Sequence, residues 1–355
     1  MKKIIIVRAT MDLGDYLYAC LAPDIEALGY EPMRMPINSW KLYPEKNMED
    51  VTELGSQFRE MDQLHNFINE NRGNVAFILH FSDWAHRWLP TLPDYRHIKP
   101  KVPVVFWSRE DPFHYKIFKW ESETADIICT SEEESIPDYK KDYPDTPTIC
   151  TPMAAAPHIF HPAVDKDREW DIVFVGNRYK NREVRERGES EVLIPAIEWA
   201  LENNKKIGVW GKGGPGTPDL FTWENLPLVW DTPGVYQPET LRLEAADIYR
   251  KAKVVLSYTS CPDAQTMLPN RLLQAAATGC VILSQRTPAT DRILGKSGYH
   301  SSRSAEETKK KLSHIFDNLD ECFQQAESTR THVISNHTFK QRLERIIRVV
   351  ERLQK

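Results

Sequence analysis

The residues best suited to chemistry fall in four short stretches. The first is MLPNRLLQAAATGCVILS, residues 267–284. Residues 252–258 just before it read as a short buried strand. Residues 270–277, dense in Leu and Ala, read as a helix that Gly279 stops, and 281–284 begin the next strand. Open α/β sheets hold ligands at such a unit, outside the carboxyl ends of the strands. A helix starting at Asn270 presents backbone N–H groups and a positive dipole end to an anion. Arg271, in the first turn, suits a charge-assisted bond to a phosphate, and Gln274, one turn on, suits a ribose hydroxyl. A plain crossover helix with a surface arginine fits the same letters, and both readings stand at this level.

The second stretch is SREDPFH, residues 108–114, after an apolar strand at 102–107. Ser108, Arg109, Glu110 and Asp111 cluster at the strand's carboxyl mouth, Pro112 breaks the chain and His114 follows. Either they form a site, or Asp111 caps the next helix while Arg109 and Glu110 pair at the surface. The third is Gly176-Asn177-Arg178 at the mouth of a strand at 171–175. The fourth is GKGGPGTP after a strand at 207–210. It is not a P-loop, because the spacing fails and no Gly-Lys-Ser/Thr follows. A glycine loop at Gly211 with Lys212 suits a nucleotide-facing wall. Ser260, in the loop before Asn270, belongs to the same side.

Alternating strands and helices must position these stretches. Residues 3–8 read as a first strand, 10–15 as a loop, 16–28 as a helix and 31–36 as a second strand, a βαβ opening without the dinucleotide fingerprint. Residues 37–54, rich in aromatics, border an acceptor site or pack on themselves. His80, near the carboxyl end of a strand at 75–81, reads as a core residue or a catalytic one. Ser131 and Glu134 suit a capping box. Residues 149–162 read as an extended connection between domains, and Asp165-Lys166-Asp167 as a charged linker rather than a metal-binding pair. Residues 192–203, 239–251 and 305–326 read as helices, and 228–232 as an edge strand or turn. At the end, Phe339, Leu343, Ile346, Ile347, Val350 and Leu353 share one helical face, with Arg342, Arg345, Arg348 and Arg352 on the other.

A chain of 355 residues suits two α/β domains. Its net charge of −5 gives no general drive toward nucleic acid or membrane. Six scattered cysteines without a C-x-x-C pair read as buried thiols in a reducing compartment. The apolar run near the start is too short for a signal peptide, and no run reaches the length of a membrane span. The expectation is a cytoplasmic protein.

PNRLLQAAATG resembles the donor-nucleotide segment of GT-B glycosyltransferases, in particular the CgeB-like (spore-maturation type) family. Arg271, Ala275, Ala277 and Gly279 fit that pattern. Gln274 departs from it, because the family has glutamate there. WSREDP resembles the family's tryptophan and E-D-P, FVGN its F-V-G followed by polar residues and arginine, and HTF its entry into a last helix. The resemblance implies two Rossmann-like domains facing a cleft: an acceptor side at 1–165, a nucleotide-sugar side at 166–330, and a helix at 331–355 crossing back to the first. It implies a glycosyltransferase moving a sugar from a nucleotide-diphosphate sugar, a UDP-sugar first, to a hydroxyl acceptor, with no metal and no other cofactor. Glu110 and Asp111 then become the acceptor-side acid/base, with His114 as a third candidate. Asn177, Arg178, Gly211, Lys212, Ser260, Asn270, Arg271 and Gln274 become the donor-nucleotide set. Two rivals remain: a nucleotide-sugar epimerase on the same fold, and a two-lobed small-molecule binding protein without catalysis. Modified DNA as the acceptor is disfavoured by the acidic net charge and kept open by the terminal arginines.

Overall fold

Ile4, Ile5, Ile6 and Val7 are each at most 1% exposed, so this strand is covered on both faces, as an interior strand of a parallel sheet must be. The computed structural model describes residues 1–8, 11–36, 60–71, 73–82, 95–96, 98, 101–163, 168–178, 183–211, 223, 226–237, 240–295 and 298–355. By its contacts the chain divides into two units, Met1–Pro152 with Phe339–Lys355, and Met153–Thr338.

The first unit holds β1 (Lys3–Arg8), β2 (Glu31–Pro36), β3 (Val75–Phe81), β4 (Val104–Ser108), β5 (Ile127–Thr130) and β6 (Thr148–Cys150). They pair in parallel in the order β2-β1-β3-β4-β5-β6. The second unit holds β7 (Trp170–Val175), β8 (Ile207–Trp210), β9 (Tyr236–Gln237), β10 (Ala252–Ser257), β11 (Val281–Gln285) and β12 (His300–Ser302). Its order, β12-β11-β10-β7-β8-β9, is also fully parallel. The chain runs outward from β7 to β9 and then returns to β10 on the other side of β7. The β7/β10 boundary is therefore the topological switch point, where doubly wound sheets open a crevice. Both sheets realise the expected pair of Rossmann-like α/β folds.

Several local expectations change. The helix after β1 spans Met11–Ala27, so residues 11–15 are helical rather than a loop; one Gly14 costs only about 1 kcal/mol there. Where 228–232 read as an edge strand or turn, residues 227–230 form a short helix begun by Pro227, and a turn follows at Asp231. The run expected at 239–251 is helical only over Ala245–Arg250. The run at 305–326 is two helices, Ala305–Asp317 and Leu319–Asn336, broken at Asn318. The chain passes from the first unit to the second at Pro152–Met153, within the expected connection, and residues 153–163 pack into the second unit: Phe160 is buried, Ala155 N–H donates to His337 O at 2.8 Å, and Arg250 donates to Ile159 O at 2.8 Å. Segment 37–54 and Asp165-Lys166-Asp167 lie outside the described residues. His80 is a core residue, 3% exposed, with its ring edge-on to Tyr95 and Phe106 and 3.8 Å from Glu121. The six cysteines form no disulfide and five are buried. Among the described residues, no helix is long and apolar enough to cross a membrane.

The last helix, Phe339–Leu353, buries Phe339, Leu343, Ile346, Ile347 and Val350, while Leu353 is exposed at the fraying end. Phe339 lies edge-on to Trp107 at 6.3 Å, and Trp107 Nε1 donates to Thr151 O at 2.7 Å. This helix belongs to the first unit, as expected of a crossover helix. Its basic face is partly committed: Arg342 donates to Pro152 O at 3.0 Å and Arg345 to Cys150 O at 2.9 Å. Burial pulls the Arg342 pKa down to about 10. Replacing Arg342 with alanine removes a charged hydrogen bond worth about 2 kcal/mol. The expected result is that much loss in urea unfolding; an unchanged midpoint would show that the bond does not anchor the helix.

Candidate functional site

Pairing between β7 and β10 ends at Val173 and Val255, while β7 still pairs with β8 as far as Val175 and Trp210. Beyond that point the two strands leave carbonyls without ladder partners. The Arg271 side chain fills the gap. Its Nη1 donates to Val175 O at 3.1 Å, its Nη2 to Tyr258 O at 2.8 Å and its Nε to Ser257 Oγ at 3.2 Å. The guanidinium also lies 4.9 Å from the Phe174 ring, and Phe174 stacks on Tyr258 at 5.0 Å. Only a planar fork of five donors reaches acceptors on two strands at once.

Two glycines leave the room that this fork and its strand mouths occupy. A Cβ on Gly176 would stand 2.1 Å from Arg271 Nη1, and one on Gly211 2.0 Å from Gly176 O. The mouths of β7 and β8 therefore touch through backbone. Arg271 sits in the first turn of the helix Asn270–Ala277, which starts after Pro269 without a side-chain cap. The preceding loop is pinned by Cys261 N–H to Thr259 Oγ1 at 3.1 Å and by Ala289 N–H to Ala264 O at 3.1 Å, and Cys261, Ala264 and Met267 form its own small core.

The other expected donor-side residues gather unevenly. Asn177 and Arg178 follow Gly176 at this mouth and are half-buried. Arg178 Nε donates to Glu189 Oε2 at 2.9 Å. Ser260 and Asn270 are half-buried at the end of β10 and the start of the helix, whereas Gln274 is only 7% exposed. Lys212 lies outside the described residues. Among the described residues, no three His, Cys, Asp or Glu side chains stand together as a metal would require.

The carboxyl mouth of the first sheet carries the SREDPFH stretch. Arg109 N–H donates to Ser82 Oγ at 3.0 Å and its Nη2 to Ser82 O at 3.3 Å, which fixes the turn after β4 on the end of β3. Glu110 keeps 35% of its side chain exposed, with His114 Nε2 at 3.0 Å and Arg109 Nη2 at 3.9 Å. Asp111 is 0% exposed and accepts from Thr130 Oγ1 at 2.7 Å. Burial pushes its pKa up to about 6, against the opposing effect of the Thr130, Ser108 and Tyr139 hydroxyls. Adjacent residues thus face opposite ways: Glu110 meets solvent and Asp111 meets the core. Of the two acids expected to act on an acceptor, the structure leaves only Glu110 accessible, and Asp111 becomes the anchor of its loop. The 3-10 turn Glu133–Ser135, after β5, is capped not by Ser131 but by Glu132, which accepts from Glu134 N–H at 3.2 Å, while Ser131 Oγ turns to Asp111 O at 3.4 Å.

Comparison with known proteins adds to this geometry. Residues 187–348 match the family model described as "Glycosyl transferase-like". No curated protein matches the chain. Among solved structures, the chain is similar to a sucrose-phosphate synthase from Thermosynechococcus elongatus, at 11% identity and TM-score 0.63 over 99% of each chain. It is similar to a glycosyltransferase from Rickettsia africae, at 11% identity and TM-score 0.61 over 100% of this chain and 99% of the other. The fold is that of the two-domain GT-B glycosyltransferases. A Listeria monocytogenes protein described as a UDP-N-acetylglucosamine 2-epimerase also shares it, at 12% identity and TM-score 0.53 over 92% of this chain and 91% of that one. At these identities the likeness is one of fold, while the family match supports a glycosyltransferase.

Within this GT-B fold, sequence reasoning passed over two groups. Glu189 is 4% exposed, lies in a π-helical turn and holds Arg178. It sits three and four residues before the buried Val192 and Leu193, so a helical wheel places it on the inner face; its acidic and basic neighbours hid that signal. Gln285, 1% exposed, accepts from Thr259 N–H at 3.4 Å and donates to Glu191 at 2.9 Å, tying the β11 end to the β10 loop.

Two predictions follow from the packing. Gly176→Ala forces the guanidinium off its acceptors and costs about 1–3 kcal/mol in chemical unfolding; a neutral result would mean the fork is not tightly held. For Asp111, a raised pKa means that folding favours the protonated acid. The ionised form is penalised fully above about 6 and not at all below the ordinary value of 3.8. Stability therefore falls as pH rises through this window, by up to about 3 kcal/mol. Asp111→Asn abolishes that fall, as read from unfolding free energies at about pH 4 and about pH 7; a parent protein with no slope there would refute the buried-acid assignment.

Proposed function

We propose that the chain is a cytoplasmic, metal-independent glycosyltransferase of the CgeB-like kind, moving a hexosyl group from a UDP-sugar to a hydroxyl acceptor. The observation that carries this reading is the glycosyl transferase-like match across residues 187–348, which contains the helix start at Asn270, Arg271 and the β10 loop of the switch point. Helix N–H groups there supply donors and a positive dipole end for a diphosphate. Arg178, oriented by Glu189, and Lys212 add charge. Arg271 serves by holding the β7 and β10 ends in place. Gln274 and Ser260 complete the donor set.

In the proposed step the acceptor oxygen attacks the anomeric carbon. The bond from that carbon to the β-phosphate oxygen breaks, and the nucleoside diphosphate leaves with the electron pair. Negative charge grows on the departing oxygen, where fixed donors stabilise it most. An inverting transfer passes the acceptor proton to Glu110, with His114 at 3.0 Å to orient the carboxylate and share the proton. An epimerase is the second reading, because the chain shares its fold with a protein described as a UDP-N-acetylglucosamine 2-epimerase. An epimerase releases no nucleoside diphosphate in normal turnover, so product analysis separates the two.

The test is a thermal-shift panel of UDP, GDP, ADP, TDP and their sugar conjugates in EDTA, followed by assay of diphosphate release. A ligand at 100 times its Kd adds about 2.7 kcal/mol. UDP and a UDP-sugar are expected to stabilise the protein. Glu110→Gln should keep that shift while transfer falls about a hundredfold or more. No shift from any nucleotide, or full turnover by the Glu110 variant, would overturn the respective assignment.

A further inference from the structure

Among the described residues of the first unit most large aromatic side chains are buried, but two on the segment beside Glu110 are exposed. Phe113 is 41% exposed and Trp120 55% exposed. The segment runs as a turn at 111–114, a helix at Tyr115–Phe118 and a 3-10 turn at Lys119–Ser122. Its inner positions, among them His114, Phe118 and Glu121, are buried, and Phe113, Lys116 and Trp120 are outward. These outward positions are spaced i, i+3 and i+7, which places them on one stripe of a helical segment.

The stripe is held rather than loose. Tyr115 Oη donates to Asp142 at 2.7 Å, Lys119 Nζ donates to the same carboxylate at 2.9 Å, and Tyr143 Oη donates to Lys119 O at 2.7 Å. Lys119 Nζ also lies 5.0 Å over the Trp120 ring. At the other end, the Phe113 ring is edge-on to His114 at 4.5 Å, and His114 stands 3.0 Å from Glu110. One imidazole thus separates an exposed aromatic ring from the exposed carboxylate.

We propose that this stripe is an acceptor track for a carbohydrate chain, with Phe113 beneath the sugar whose hydroxyl meets Glu110 and Trp120 beneath a sugar further along. The inference rests on the glycosyltransferase reading and adds the class of acceptor. A pyranose ring presents an apolar C–H face within a rim of hydroxyls, which an aromatic face and nearby polar groups match together. A membrane surface fits less well, because Lys119 is committed to Asp142 and Glu110 and Glu123 lie on the same segment. A protein partner fits less well too, because Lys116 interrupts the apolar surface.

The test is saturation-transfer NMR and calorimetry with cellotriose, maltotriose and chitotriose on the whole protein, alongside a UDP titration. At least one trisaccharide is expected to bind. Phe113→Ala and Trp120→Ala should each weaken it about three- to tenfold, the effect of losing one stacking partner. Phe113→Trp should retain binding, and all three variants should bind UDP as the parent does. Absence of binding by every trisaccharide, or parent-like binding by both alanine variants, would overturn the track. The UDP titration reports separately on the donor assignment, so the two failures are distinguishable.

Discussion

The second sheet depends on one problem of parallel topology. Where β7 and β10 part, the chain opens a crevice and must still keep the strand carbonyls from an unsatisfied state. A buried carbonyl without a donor costs about 1–3 kcal/mol, and two of them would offset most of what a short strand pairing contributes. Arg271 answers by reaching back from the helix to Val175 O and Tyr258 O. The same fork explains why Gly176 has no side chain and why Gly211 can approach it through backbone alone. If the guanidinium swung out to meet a phosphate it would surrender both carbonyls. Here the stronger interaction is structural, and the arginine that sequence reasoning assigned to the ligand acts first on the protein.

This use of arginine recurs. Arg109 caps Ser82 O, Arg168 reaches Ala252 O and Gly279 O, Arg330 reaches Ala277 O, and Arg342 and Arg345 reach Pro152 O and Cys150 O. Parallel α/β folds end strands and helices abruptly, and each end leaves carbonyls needing donors. A long side chain with a wide fork covers such ends from another element, which a lysine's single ammonium does less well. The two best-placed arginines of the last helix are therefore spent on strand ends. This removes much of the reason to read that face as a nucleic-acid surface.

What the letters revealed follows from how each feature is encoded. Periodicity carried the helix Asn270–Ala277 to the residue and the buried face of the last helix nearly so, because both patterns are local and apolar. The same holds for β1, whose apolar run is bounded by charged residues. The break at Asn318 and the helix at 227–230 were missed, because a single polar residue or a single proline says little about what packs around it. Glu189 and Gln285 were missed for a deeper reason: their importance lies in partners eleven and twenty-six residues away, Arg178 and Thr259. Spacing along the chain holds no record of such contacts.

The Glu110–Asp111 pair shows the limit most clearly. Two acids in a row look interchangeable in sequence, and both were assigned to the acceptor. A residue pair leaving a strand places successive side chains on opposite sides, so at most one can face the mouth. Burial decides which. Asp111 is fully enclosed and accepts from Thr130, and burial raises its pKa to about 6 against that bond. Held in the core by Thr130, it fixes the turn that directs Glu110 outward toward His114. The acid enclosed in the core is in this way what holds the other acid at the surface.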